Sequence, residues 1–459
     1  MEDFRVLKRI TKGGLTSLIC LLPLLSMHWN QVLAETYDPF DPVLDSVNGN
    51  GASSGQAIVD TCRTGDNGQS EDVANQKFQD DCNLIVGSAS NDPDGVAGAL
   101  NALAADQVSA QNSASVRRNK TNTSVVGSRM QLLRVSSGVS AYNIGDSFAG
   151  NLLFNDALGG GASADSEYGK LGLFFNGRFV SGDEDSDKFQ DGFDFDVWDL
   201  MAGADYRLSH NLIAGVALNY SEGDIDYDNS RGFLDTEAWG ILAYTTYFLD
   251  NGLFFEGQMG YTDVDFSMER HVFYTIGADS ANQRIKSSPD GNLFSMSLGV
   301  GKSYSRDSWS FSPSLRFDYL ENDIDGYTEK SSNLLSTGGA MALAVNSANY
   351  ESLTSNLGIQ IATARNFSGG VLVPQIRVDW VHEFKDDSVG IKANYQNDIN
   401  RTEFKIGTTP QDSDYFDVSI GLSAQLPNGK SGFISYRTLQ GYDGLSFDSI
   451  QVGLRIELN

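Results

Sequence analysis

The sequence predicts a transmembrane β-barrel of twelve antiparallel strands, and three observations predict it. The first is period-two alternation, clearest in SWSFSPSLRFDYLEN (residues 308–322), where Trp309, Phe311, Leu315, Phe317 and Tyr319 alternate with Ser310, Ser312, Ser314, Arg316 and Asp318. Strand side chains alternate faces, so one face is apolar and the other polar. The second is repetition of that pattern from Tyr168 to the end, with aromatics near the strand ends. The third is the alternation of short and long connections between the repeats, with short turns on one side of the membrane and long loops on the other.

Composition sets limits. The chain has 459 residues, 48 of them glycine, 18 tyrosine and only 9 proline, which favours β structure with tight turns. The net charge of −28 argues against a nucleic-acid partner. Residues 1–34 read as a secretory signal. Arg5, Lys8, Arg9 and Lys12 precede the apolar run Leu15–Leu25, and Val32-Leu33-Ala34 is a small-residue cleavage site. No later apolar run is long enough for a transmembrane helix. Export combined with amphipathic strands points to a bacterial outer membrane, with loops on the cell surface.

Residues 35–93 are polar and rich in Gly, Asn and Asp, without clear periodicity. They form a short passenger-like region, and Cys62 and Cys82 are expected to make one disulfide there in an oxidising compartment. Residues 94–135 change character. Val96, Ala99, Leu100, Leu103, Ala104 and Val108 recur at helical spacing behind a capping Asp92 or Asp94. A second helical piece is expected over about 123–135, and Arg117, Arg118 and Lys120 form a basic cluster between the two. A solvated face or a helix lying in a polar, acidic lumen would account for that cluster. Residues 136–167 read as a Gly-rich linker.

Strands are expected near 168–180, 195–206, 211–220, 234–248, 252–266, 291–304, 308–321, 350–365, 370–385, 413–426, 431–439 and 446–458. Long polar connections fall at 181–194, 221–232, 267–290, 322–349, 386–412 and 440–445. Residues 389–404 alternate as well, but a thirteenth spanning strand would break the pairing of short and long connections, so they read as a hairpin within an outer loop. Parity places Arg316, Asp318, Arg377, Asp379, Glu383, Arg455 and Glu457 toward the lumen.

At these residues the sequence resembles the autotransporter outer-membrane β-barrel family. The stretches that carry the resemblance are AGADYRLSHNLIAGVALNYSEG (202–223), WSFSPSLRFDYLEN (309–322), SLTSNLGIQIA (352–362), VLVPQIRVDWVHEF (371–384), FISYRTLQG (433–441) and VGLRIEL (452–458). The resemblance implies a twelve-strand barrel with an α-helical segment through its pore, linked to an N-terminal passenger. It also implies barrel assembly and secretion machinery as partners, beside outer-membrane lipid. Such barrels commonly end in an aromatic residue, where this chain has Leu458-Asn459, and residues 35–92 are far shorter than the long β-helix many of them display.

Three chemistries compete with a non-catalytic reading. Gly145-Asp146-Ser147 resembles the nucleophile block of surface esterases, and Asp379-Trp380-Val381-His382 resembles their D-x-x-H block. Asp379 and His382 differ in parity on one strand, so they face opposite ways and a triad with Ser147 is not expected. Asp183, Asp185 and Asp187 with Asp194 resemble a calcium loop, but Lys188 stands where the turn glycine belongs. Asp224, Asp226 and Asp228 repeat the theme in the next loop, and a solvated acidic loop explains both. Outside the signal, His210, His271 and His382 show no metal spacing. The expected protein is a monomeric autotransporter-type barrel, without cofactor or catalysis, that translocates, displays or is plugged by its own N-terminal segment. An open diffusion channel is the alternative.

Overall fold

The computed structural model describes residues 38–47, 49–111 and 170–458. The signal segment, the basic cluster at 117–120, the second helical piece, the Gly-rich linker and Ser147 lie outside the described residues.

Twelve strands form the wall. They are β1 (Leu171–Glu184), β2 (Phe193–Arg207), β3 (Leu212–Tyr227), β4 (Gly232–Phe248), β5 (Leu253–Ile276) and β6 (Asp290–Lys302), followed by β7 (Trp309–Ile324), β8 (Ala348–Thr363), β9 (Gly370–Glu383), β10 (Asp414–Leu426), β11 (Lys430–Gln440) and β12 (Leu445–Leu458). Each pairs antiparallel with its neighbour, and β12 pairs with β1 from Leu171↔Leu458 to Glu184↔Leu445. Closure leaves the wall without an open edge, as a sheet in lipid requires.

The faces follow parity. Trp198, Leu218, Trp239, Ile241, Leu357, Ile450 and Leu454 are exposed on the outer face. Asn176, Arg178, Asp199, Asn219, Gln258, Arg377 and Gln451 are buried on the inner face. Short turns join β2 to β3 and β4 to β5. In the turn between β10 and β11, Asn428 and Gly429 both adopt positive φ.

At the other end the wall rises further than the spacing of apolar residues suggests. The loop expected at 221–232 is mostly strand. β3 runs to Tyr227 and β4 starts at Gly232, with register Tyr227↔Gly232. Glu222, Asp224 and Asp226 are exposed there, while Ser221, Gly223, Ile225 and Tyr227 are buried. Acidic residues on the outer face of β3 hide the alternation, because Glu222, Asp224 and Asp226 stand where apolar side chains would mark a lipid-facing strand. The loop expected at 267–290 is a hairpin. β5 continues to Ile276 and returns as Asp279–Ser287 through Gly277, whose φ of +58° suits glycine. Residues 389–404 fall largely in a hairpin, Gly390–Tyr395 with Glu403–Gly407, in a small four-stranded sheet apart from the wall.

The N-terminal region is helical: α1 (Asp41–Leu44), α2 (Gly49–Thr64), α3 (Val73–Ser88) and α4 (Pro93–Leu103). Residues 35–93, which show no clear periodicity in sequence, thus hold three of these helices. α2 opens GNGASSGQ, a run of poor helix formers whose helix is supported by packing. Gly55 shows this: a Cβ there would stand 2.9 Å from both Leu100 Cδ1 and Leu44 Cδ2. α3 is capped by Asp72, which accepts from the Ala74 amide at 2.8 Å. α4 is capped by Asp92 and buries Val96, Ala99, Leu100 and Leu103. Cys62 of α2 and Cys82 of α3 form a disulfide.

Candidate functional site: the capped outer end of the barrel

The helices and the long loops share one core. Phe40, Ile58, Phe78, Ile85, Leu100 and Leu103 are buried with Phe193, Phe266, Met268, Ile276, Leu343, Tyr395 and Ile406 in a single cluster. The rings of Phe78 on α3 and Tyr395 on the loop hairpin lie 5.3 Å apart.

Polar contacts fix the cap in register. Asn50 on α2 is 1 % exposed. Its Nδ2 donates to Phe189 O at 2.7 Å, Asp106 Oδ1 at 3.0 Å and Gly407 O at 3.2 Å, and its Oδ1 accepts from Gly407 N at 2.7 Å. One amide thus ties α2 to two separate outer loops, with both its nitrogen and its oxygen engaged. Asp398, also buried, accepts from Thr61 Oγ1 at 3.1 Å and Asn67 Nδ2 at 3.3 Å. Asp92 accepts from Gly277 N at 2.8 Å at the tip of the β5 hairpin. Gln107 donates to Asp191 at 2.6 Å, and Tyr227 donates to Gln107 O at 3.1 Å.

Behind this layer Arg270 on β5 and Glu329 form a bidentate pair at 2.6 and 2.7 Å, with both side chains at most 1 % exposed. Glu329 also accepts from Leu343 N at 2.9 Å.

Burial pushes the Asp81 carboxyl on α3 above the usual range, while Lys77 and the amides of Gly338 and Ala340 pull it back. Burial also raises Asp191, opposed by Arg231 and reinforced by Asp228.

Residues 94–135 are described only as far as Gln111. α4 packs against β5 at the loop end, and Gln111 Nε2 donates to Tyr327 OH at 3.2 Å in the same region. Where description resumes, Leu171 stands at the opposite end, in register with Tyr206 and Leu458.

The inner wall carries its charge in neighbouring pairs. Arg178 meets Asp199 (Nε–Oδ2 2.9 Å), Arg316 meets Asp318 (3.0 Å), and Arg437 meets Asp417 (2.8 Å). Arg377 binds Asp379, and Arg455 binds both Glu457 and Asp205, the latter at 2.8 Å. Glu383 accepts from Leu353 N at 2.9 Å. An inner face described only as acidic therefore misses its balance, since each of these arginines has a carboxylate beside it.

The acidic excess lies on the outer rim. Asp183 faces Asp194, Asp194 faces Asp226, Asp196 faces Asp224, Asp224 faces Asp235 and Glu222 faces Glu237 across adjacent strands. The calcium-like residues do not converge. Asp183 accepts from Ser446 Oγ at 2.7 Å, Asp187 accepts from Phe189 N at 2.7 Å, and no group among the described residues has metal-ligating geometry. Asp379 lies on the inner face while His382 lies outside, 3.0 Å from Asp414. His210 is exposed in a turn at the opposite end of the wall, and His271 is on the outer face of β5.

A profile of the autotransporter β-domain matches residues 173–437. The chain belongs to the autotransporter β-domain family. The match covers more than half of the chain and places it in the bacterial outer membrane as an autotransporter barrel. Solved autotransporter barrels are similar in fold. The translocator domain of NalP from Neisseria meningitidis is 14% identical, covering 75% of this chain and 99% of that one at a TM-score of 0.49. The β domain of the Bordetella autotransporter BrkA is 18% identical, covering 62% and 99% at 0.46. The transport unit of AIDA-I from Escherichia coli is 15% identical, covering 70% and 99% at 0.41. No curated protein matches the chain.

Proposed function

We propose that this autotransporter barrel carries its own short N-terminal segment to the cell surface and keeps it there as a folded, disulfide-closed cap over the loop end. The observation that carries the reading is Asn50, whose buried amide is satisfied only when α2 lies between Phe189 and Gly407 of two outer loops. A contact matched this closely in apolar packing and in polar groups suits a segment that stays docked after export. In this reading the cap is part of the finished outer end and has no catalytic role. Outer-membrane lipid and the barrel assembly and secretion machinery are the partners, and the protein acts as a monomer.

The test uses an epitope placed after Glu35 in intact cells. External protease is expected to remove the epitope, while residues 49–103 stay with the barrel in the membrane fraction. An N-terminal fragment recovered from the medium, or an epitope protected from protease, would overturn the reading.

A further inference from the structure

The upper part of β5 and the strand returning from it carry a group of cations on the face directed away from the barrel axis. His271 stands opposite Arg284, and Glu269 stands opposite Lys286. Lys286 stands opposite Lys330 on the next short strand. Residues directly paired in an antiparallel ladder share one face. The opposite face of this sheet is buried by Arg270, Val272, Tyr274 and Ile285, so the cations point outward.

Glu269 anchors the group. Its carboxylate is 2.8 Å from His271 Nε2, 2.9 Å from Lys286 Nζ and 3.6 Å from Arg284. The carboxylate side chain is 5 % exposed, whereas those of Arg284 and Lys286 are 66 % and 69 % exposed. One buried anion thus orients several basic groups whose charged ends remain in solvent. Lys286 and Lys330 are like charges placed directly opposite, which weakens a ladder unless an anion lies between them. In a chain of net charge −28, this concentration of positive charge stands out from the acidic rim below it.

The height and direction of the face select a partner. β5 loses its β6 partner beyond the Asp265–Asp290 pair but stays paired with β4 to Arg270, and the cations lie beyond Asp265 on the loop side. The sheet continues the lipid-facing wall, so its outward face overlooks the membrane surface sideways.

We propose that this face binds the phosphate- and carboxylate-bearing core saccharide of the outer-leaflet glycolipid. The anionic groups sit between Arg284, Lys286 and Lys330 while Glu269 holds the bases in place. Charged ends in solvent give an attraction that salt screens.

The experiment uses the full chain purified in detergent and two probes: lipopolysaccharide with a complete core but no O-chain, and deep-rough lipopolysaccharide truncated before the phosphorylated heptoses of the core. The variant is Arg284→Ser/Lys286→Ser/Lys330→Ser, with the heat-dependent gel shift of the folded barrel as the control. The wild type is expected to bind the complete-core form about tenfold more tightly than the variant does, at low salt. Its preference for the complete core over the deep-rough form should shrink as salt is raised. Unchanged affinity in the folded variant would overturn the proposal, and so would equal binding of the two glycolipids by the wild type. Should the triple variant not fold, Lys330→Ser alone is expected to weaken complete-core binding about threefold, and an unchanged affinity there would equally overturn it.

Discussion

The membrane wall and the capped outer end are made from the same strands but are held by different forces. The wall is a closed ladder in which every strand has two neighbours, its outer side chains meet lipid, and its inner charges pair with carboxylates on the same or nearby strands. The outer end has a packed core, a disulfide and buried polar clamps, and its partners come from regions far apart in the chain. A ladder spreads its stability over many equivalent bonds, whereas a core with a few buried polar ties concentrates it. Damage to those ties should therefore open the outer end and leave the wall closed.

The largest effect is expected for Arg270→Met, which strands Glu329 with its charge buried. The cap and outer loops should lose about 4 kcal/mol. Trypsin cleavage between residues 49 and 103 should rise sharply while the folded barrel keeps its gel mobility. Loss of the barrel band as well would show that the two regions unfold as one. Replacing both cysteines with serine should cost the cap about 3 kcal/mol, read as faster hydrogen exchange in α2 and α3. Asn50→Ala should cost about 2–3 kcal/mol in the same assay, by leaving groups of Phe189 and Gly407 unsatisfied. In the wall, Asp417→Asn removes a charge-assisted partner of Arg437. It should cost about 2 kcal/mol in barrel unfolding without changing exchange in the cap. A cap response to that variant would erase the distinction between the regions.

The smallest effect concerns pH. Asp81 and Asp191 are raised by burial, so the docked cap favours their protonated forms more than an undocked cap does. A folded value above the unfolded one contributes stability below the unfolded value, and that contribution is lost as pH rises through the folded value. The cap should thus exchange amide hydrogen relatively more protected at about pH 5 than at about pH 7.5, once intrinsic exchange rates are divided out. Asp81→Asn should flatten the difference, and a wild-type cap tighter at the higher pH would refute the assignment.

The wall was legible in the sequence because lipid and lumen impose opposite demands on neighbouring residues, as at Trp309 to Tyr319. α4 was legible for a similar reason, since Val96, Ala99, Leu100 and Leu103 repeat along one stripe. α2 was not, because its glycines and serines suit the close approach of Leu44, Leu100 and Phe189 and carry little helical signal themselves. The upper halves of β3 and β5 escaped because their outer residues are mostly polar or charged, as at Asp224, Asp226, Ser267, Glu269 and His271. The basic face was invisible for another reason. Its cations come from three strands and form a group only when the hairpin closes.

The clamp at Asn50 joins residues 357 positions apart. A contact of that span cannot form until nearly the whole chain is in place, and such high contact order makes folding late. The segment synthesised first is therefore among the last to reach its final packing. Its helices are glycine-rich and lack a complete core of their own, so before the loops exist they have little to fold against. On the proposed reading the segment passes the barrel before that packing exists, as an extensible thread suited to a narrow opening. On that reading its fold becomes fixed on the side where Phe189 and Gly407 are waiting.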